Sequence, residues 1–348
     1  MQAIRSDVEY FADIDEVLGR FTERFFGNGY RQVRQRLGEV VIDPESASAH
    51  ASCRIVYPEN WSKKKNRELV PHLSSIDAFI VAVRVAELYL RDACGLSEAD
   101  LAASWMRRCK LRAGTSPSVD LGAVPVGMRH IDTRATNASI CGASSRFRVS
   151  VGTMEVELCL DHPPLAKVSP TPRSMPEERS DAQNEHRYYG LAYRDTTVRI
   201  RDLLIDPRQP RAQARVGLTS PPTVRLGLSS NYLPFVSFVD AVVSVAQVAQ
   251  ALLYRQDGID RQRSHNLWMR RISFESPSPR TRDAEFSMET WIEKTQVLRV
   301  RDQRWRTADF GLTYPGATAT YSLAHQLPET SLTTDSTTKN VRLRTGER

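Results

Sequence analysis

Two apolar runs carry the residues best placed to do chemistry. In SSIDAFIVAVRVAELYLR, the polar residues Ser74, Asp77, Arg84 and Glu87 fall at spacings of 3, 7 and 3. On a helix, those spacings set them along one side. A second run, SFVDAVVSVAQVAQALLY, repeats the stripe with Ser237, Asp240, Gln247 and Gln250, and Ser244 fills the gap. Polar groups on a buried helix cost free energy unless they are partnered. A carboxylate held there tends to have a raised pKa, which suits general acid–base work. Asp77 and Asp240 are therefore candidate catalytic groups. Ser74, Ser75, Arg84, Glu87, Ser237 and Gln247 are candidate substrate contacts. A structural reading competes: Ser-x-x-Asp before an apolar run is a capping box, in which serine and acid satisfy each other's backbone N–H. Capping leaves Arg84, Glu87, Gln247 and Gln250 unexplained. They pair with each other or with sheet backbone, or they line a pocket.

The stretch before the first helix is richer than its counterpart. It holds Asn60, Trp61, Ser62, the triplet Lys63-Lys64-Lys65, and His72 just before the cap. The second half has Thr223, Val224, Arg225, Leu226, Gly227 and Leu228, with Phe235 in place of His72. If only one of two equivalent sites is active, these residues favour the first helix. His72 is a candidate base, or else a solvated cap residue. Trp61 and Lys64 are candidate substrate contacts, with the lysines able to take a phosphate or pyrophosphate; otherwise they form a solvated loop. Trp-Met-Arg-Arg occurs twice, at 105–108 and 268–271. It starts the strand after each helix, with the tryptophans packed and Arg107 and Arg270 facing a groove or solvent. There is no Gly-rich phosphate loop, no G-x-S-x-G, no H-E-x-x-H and no paired metal-ligand spacing. No metal or cofactor is implied.

The elements that position these residues come from a duplication. At an offset of 163, Ile42-Asp43-Pro44 returns as Ile205-Asp206-Pro207, and Tyr30-Arg31 as Tyr193-Arg194. Between Tyr30 and Arg108 no gap is needed, and 21 of 79 positions are identical. Ordinary amino-acid usage would give about five. Each repeat opens with strand-like sequence, 31–42 and 193–205, closed by an Asp-Pro turn. A second strand follows at 49–56 and 212–219. Next comes one long helix, 74–91 and 237–254, apolar nearly all round and hence buried on nearly every side. Alternating strands return at 145–160 and across 285–321. This order predicts an α+β double hotdog fold: two tandem repeats, each a curved antiparallel sheet around a long buried helix. The joined sheets remove an edge from each. The predicted organisation is a first repeat with an N-terminal extension at 1–162, an exposed Pro- and charge-rich linker at 163–185, a second repeat at 186–328 and a disordered polar tail at 329–348.

The bulk numbers fit that plan. The 348 residues suit two domains. The net charge of +7 suits acidic partners such as phosphates, CoA-like groups or an acidic carrier protein. No nucleic-acid motif is present, and no run approaches the ~18 apolar residues of a membrane span. Five cysteines without a CxxC pair point to a reducing, cytoplasmic setting. Residues 1–11 do not read as a signal peptide.

Phe25-Phe26-Gly27-Asn28-Gly29-Tyr30, the Asn60-Trp61-Ser62 loop and His72-Leu-Ser-Ser-Ile-Asp77 resemble the avirulence D (AvrD) family over about residues 10–325. Its plant-pathogen members are linked to syringolides, acyl-glycosides that elicit plant defence. It neighbours the A-factor synthases, paired hotdog repeats that join a β-ketoacyl thioester to a small hydroxyketone phosphate. The resemblance implies an acyltransferase or condensing enzyme of secondary metabolism. It would join a β-ketoacyl chain, carried on acyl carrier protein or CoA, to a ketose or small polyol, giving an acyl-glycoside or butenolide-type signal molecule. A hotdog thioesterase or dehydratase is the first alternative and a non-catalytic acyl-binding protein the second. The usual His-then-acid pattern of hotdog dehydratases is missing: Asp240 stands where the acid would, without a histidine in the loop before it. A homodimer is compatible with this reading.

Overall fold

The computed structural model describes residues 8–64, 69–135, 141–165, 171–177, 184–206, 208–220, 226–262, 264–265, 267–280, 283–300, 302–328 and 338–339. Lys65, Thr223, Val224 and Arg225 lie outside them, as does the tail apart from 338–339. In chain order, β1 (Glu9–Asp13) and α1 (Asp15–Leu18) precede β2 (Arg34–Leu37), β3 (Val40–Asp43) and β4 (Ser48–Val56). Then come α2 (Ser75–Asp92), α3 (Glu98–Ala103), β5 (Trp105–Arg112), β6 (Val124–Ala135), β7 (Ala143–Val151) and β8 (Met154–His162). After β9 (Arg173–Met175), the second half runs β10 (Thr197–Asp206), β11 (Arg211–Thr219), α4 (Phe238–Asp257), β12 (Leu267–Glu275), β13 (Glu285–Val300), β14 (Gln303–Tyr314) and β15 (Ala317–Gln326). A two-residue strand, β16 (Thr338–Lys339), pairs parallel with β13.

All strands join one antiparallel sheet apart from that last pairing. Its order is β1-β10-β11-β13-β14-β15-β12-β5-β8-β7-β6-β4-β3-β9. Reading outward from the centre, β12-β15-β14-β13-β11-β10 mirrors β5-β8-β7-β6-β4-β3. At the junction Ser273 faces Lys110, which are themselves one offset apart (110 + 163 = 273). Both halves carry a register shift at the same arginine, Arg107 between β5 and β8 and Arg270 between β12 and β15. The sequence repeat is thus a repeat of strand order and of bulges.

The two long helices fill the hollow of the sheet. Fifteen of the 18 residues of α2 and 17 of the 20 of α4 are buried. Both are rich in β-branched residues, Val in α4 and Val with Ile in α2, which are mediocre helix formers. Burial has to hold them, at about 1.5–3 kcal/mol for each large apolar side chain removed from water. The helices touch where Phe79 meets Phe238, with ring centroids 4.2 Å apart. Each starts in a capping box, Ser74/Asp77 or Ser237/Asp240. α4 ends on Gly258 in the left-handed conformation (φ 62°), which glycine adopts without a Cβ penalty.

Three segments differ from their sequence expectations. The N-terminal extension serves the opposite half: β1 pairs with β10, and α1 packs on α4. Within the linker, Arg173–Met175 forms β9 on the edge of β3, with Met175 packed on the core. β6 carries Pro125 and Gly127, which hide it from a propensity reading.

Candidate functional site

A cavity of about 160 Å³ opens between the N-terminal end of α2 and the middle of α4. The first turn of α2 contributes Ser74 and Ser75, and the loop after β4 contributes Tyr57, Trp61, Ser62 and Lys64. α4 brings Gln247 and Gln250, and the start of β12 brings Trp268 and Arg270. One wall is aromatic. Phe25, Tyr57 and Trp61 pack with centroids 5.2–6.1 Å apart.

His72 faces this cavity beside Trp61, ring centroids 6.5 Å apart. Its Nδ1 lies 3.2 Å from the Val70 carbonyl oxygen. A carbonyl only accepts, so Nδ1 carries the proton and Nε2 keeps its lone pair. Asp77 is placed differently. It is 1% exposed. Its Oδ1 accepts from Gln35 Nε2 at 2.6 Å, and its Oδ2 accepts from the Ser74 hydroxyl (2.6 Å) and backbone N–H (3.1 Å). The Tyr57 hydroxyl stands between Asp77 and the cavity, 2.6 Å from Oδ2 and 3.0 Å from the His72 carbonyl oxygen. Burial, then the charge of Asp77, push the Tyr57 pKa well above its ordinary value, so it stays a neutral donor. The geometry makes Asp77 a helix cap that fixes Tyr57.

The remaining sequence candidates divide. Gln247 lines the cavity, gives its Nε2 proton to the Val243 carbonyl at 3.1 Å, and leaves Oε1 buried without a partner. The neighbouring Trp268 indole N–H is also buried without a partner. Arg270 lines the cavity with Nη1 on the Gly114 carbonyl (2.8 Å). Lys64 lies there too, but its ammonium donates to Ser264 O, Ser264 Oγ and His265 O at 3.0–3.2 Å and so straps the two halves together.

Ser237 and Asp240 are buried in the second capping box and do not line the cavity. Arg84 and Glu87 line a separate cavity of about 240 Å³ with Arg187. There Arg84 donates to the Gln35 carbonyl (2.8 Å), and Glu87 accepts the Leu228 N–H. Burial raises the Glu87 pKa despite the charge of Arg187. Arg107 Nε sits 3.3 Å from Asp161, away from the first cavity.

Under the duplication the counterparts of the cavity residues part company: Arg84, Glu87 and Arg187, which answer to Gln247, Gln250 and Arg24, line the separate cavity, while the ring that answers to His72 is packed. Phe235, the counterpart of His72, packs against Trp105 (5.0 Å) and Tyr188 (5.4 Å). The Trp105 indole donates to the Ser276 carbonyl at 2.7 Å, whereas its counterpart Trp268 has no such partner.

Among the cavity residues that reading the stripes missed are Tyr57, Arg24 and Arg261. The offset itself held a signal for the two arginines. Carried outside the aligned block, it pairs Arg24 with Arg187 (24 + 163 = 187) and Glu98 with Arg261 (98 + 163 = 261), a reversal of charge. Among the described residues, no group of three or more His, Cys, Asp and Glu could hold a metal ion, and no helix is long and apolar enough to cross a membrane.

Solved structures with some likeness include a tesB protein of Mycobacterium avium subsp. paratuberculosis, at 11% identity, TM-score 0.41, covering 83% of this chain and 96% of that chain. A protein with a hot dog fold from Alicyclobacillus acidocaldarius shares 10% identity at TM-score 0.37, over 82% and 95%. A dehydratase domain of the curacin polyketide synthase shares 11% at TM-score 0.35, over 85% and 98%. No curated protein matches the chain. The model of the Pseudomonas avirulence D protein (AvrD) family matches residues 9–328. The chain belongs to the AvrD family.

Proposed function

We propose that this protein is a double-hotdog acyltransferase that moves a β-ketoacyl group from a CoA or carrier-protein thioester to a hydroxyl of a ketose or small polyol. With a polyol the ester is itself the acylated product; with a ketose, the carbon between the two carbonyls of the β-ketoacyl group then attacks the acceptor's ketone and water is lost, giving an acyl-glycoside or butenolide-type signal molecule. CoA and carrier-protein thioesters make the cytoplasm its place of work. The observation that carries the reading is the cavity at the N-terminus of α2, which faces a histidine where the duplicate has Phe235 packed against Trp105 and Tyr188.

The acyl chain lies along the wall of Phe25, Tyr57 and Trp61. The thioester carbonyl sits at the first turn of α2. There the Ser75 and Ile76 N–H groups have no carbonyl within the helix to bond, and the helix dipole favours negative charge. The acceptor hydroxyl attacks the thioester carbon and gives its proton to His72 Nε2. The first-turn N–H groups hold the oxyanion of the tetrahedral intermediate. On collapse the C–S bond breaks, and the proton passes from His72 to the leaving thiolate. Asp77 acts through Tyr57 as a positioning residue.

The test incubates the protein with a β-ketoacyl-CoA, with and without dihydroxyacetone or xylulose, and follows products by mass spectrometry. An acyl–polyol adduct that falls about 100-fold or more in His72→Gln is expected, the scale of a lost general base. Free acid alone would make the protein a thioesterase. A bound, unchanged acyl group would make it a binding protein. Either result overturns the transferase reading.

A further inference from the structure

Two buried cations share one wall of the open cavity. Arg24 is 3% exposed and Arg261 is 5% exposed. They are neighbours: Arg261 Nη2 donates to the carbonyl of Glu23, the residue before Arg24, at 2.9 Å, and approaches Ser62 Oγ at 3.3 Å. Among the described residues the ionic partner of Arg24 is Asp15, which is itself 38% exposed. Nε and Nη1 of Arg24 and Nη1 of Arg261 are buried with no hydrogen-bond partner. Burial and the charge of Arg261 push the Arg24 pKa down to about 10, against the pull of Asp15. Burial lowers Arg261 as well. Buried guanidinium N–H groups left without acceptors are expensive, and an anion bound beside them would supply the acceptors.

The cavity has the matching sign. Arg24, Lys64, Arg261 and Arg270 line it, and among its described lining residues there is no carboxylate. The duplicated position is the control. There Arg187, the counterpart of Arg24, donates to Glu98, the counterpart of Arg261, at 2.8 Å. Where the second half closes the charge with a glutamate, the first half repeats the positive charge.

We propose that Arg24 and Arg261 form an anion subsite that takes the phosphate of a bound substrate. The planar forks of two arginines suit phosphate oxygens, two N–H groups to an oxygen pair. The phosphate belongs either to a phosphorylated acceptor or to the pantetheine arm of the acyl donor. The inference rests on the cavity being the substrate site proposed above, but its test needs no turnover.

Binding is measured by calorimetry and thermal shift on the full chain with inorganic phosphate, with glycerol 3-phosphate against glycerol, and with pantetheine 4′-phosphate against pantetheine. The wild type is expected to bind phosphate and to prefer one phosphate ester over its alcohol, and the preferred pair tells acceptor from donor. Arg261→Glu recreates the pairing of the second half. It is expected to melt no lower than the wild type and to weaken that ester by about 100-fold, the scale of lost charge-assisted hydrogen bonds plus a repulsive charge. If Arg261→Glu does not fold, Arg261→Gln carries the test, with about a tenfold loss expected. No phosphate binding by the wild type, or wild-type affinity in either folded variant, overturns the subsite. Phosphate binding without acyl transfer would instead count against the proposed reaction and leave the subsite standing.

Discussion

The two ends of the molecule that the duplication made equivalent have opposite interiors. In one, His72, Trp268, Arg24 and Arg261 surround a cavity, and several of their polar atoms lack partners. In the other, Phe235, Trp105, Arg187 and Glu98 occupy the same positions of the repeat. The rings pack at 5.0–5.4 Å, the indole N–H is bonded, and the charges are paired. Framework, capping boxes and bulges are shared, so the fold does not account for the difference. Filling a space and pairing its charges stabilises; leaving it open with orphan donors does not. The contrast is therefore between a ring and an ion pair packed together and a histidine and two arginines that face open space.

The largest test of that contrast removes the plug. Phe235→Ala takes a buried ring (3% exposed) from a packed cluster and should cost about 3–5 kcal/mol in urea unfolding. His72→Ala, half-buried at an open wall, should cost less than about 1 kcal/mol. Equal losses would show that both places are packed for stability alone. A second difference lies at the other end of the helices. Asp257 accepts from Arg306 Nε (2.7 Å) and lies 2.9 Å from His325 Nε2, all three nearly inaccessible. The first half has Cys94, Ala143 and His162 at these positions. Asp257→Asn removes the carboxylate from a buried cation and should cost about 3 kcal/mol. A loss below about 0.5 kcal/mol, the range of a surface substitution, would mean that the ion pair is as dispensable as its absence from the first half.

Much of the framework was legible because local rules and the duplication agree. The Ser-x-x-Asp caps, the apolar helices and the strand starting at Trp105 all follow from spacing. β6 was not legible, because Pro125 and Gly127 argue against a strand that pairing on both sides secures. Nor was the crossing of the N-terminal segment, since β1 pairs with a strand about 190 residues later and no local rule reaches that far. In the site, the structure disperses the helical stripes: Ser74, Gln247 and Gln250 line the cavity at the start of α2, and the other stripe residues lie elsewhere. Asp77 and Ser74 satisfy each other, and Arg84 and Glu87 face a different cavity. No motif marks Arg24 and Arg261, which line the cavity. They stand out only when each residue is compared with its own duplicate and the charge is seen to reverse.

The smallest effect concerns the histidines that the repeat keeps. His162 and His325 are one offset apart (162 + 163 = 325), and both are fully buried. His162 has Nδ1 2.7 Å from the Pro163 carbonyl and Nε2 2.7 Å from Ser145 Oγ. The carbonyl fixes the proton on Nδ1, and Nε2 accepts from the serine. Burial pushes its pKa below the ordinary 6.5, so the folded state holds it neutral. Above pH 6.5 both folded and unfolded chains keep it neutral, and its contribution is complete. As the pH falls below 6.5, the unfolded chain binds a proton that the folded chain refuses, and stability drops until the folded pKa is reached. That slope is at most about 1.4 kcal/mol per pH unit. His162→Gln keeps a donor and an acceptor but cannot titrate. Between about pH 7 and pH 5, where histidine titrates, urea unfolding of this variant should lose less stability than the wild type does. His325 has the Asp257 carboxylate beside it and is the same in both proteins, so the comparison isolates His162. Parallel pH profiles for the two proteins would mean that His162 takes up its proton in the folded state.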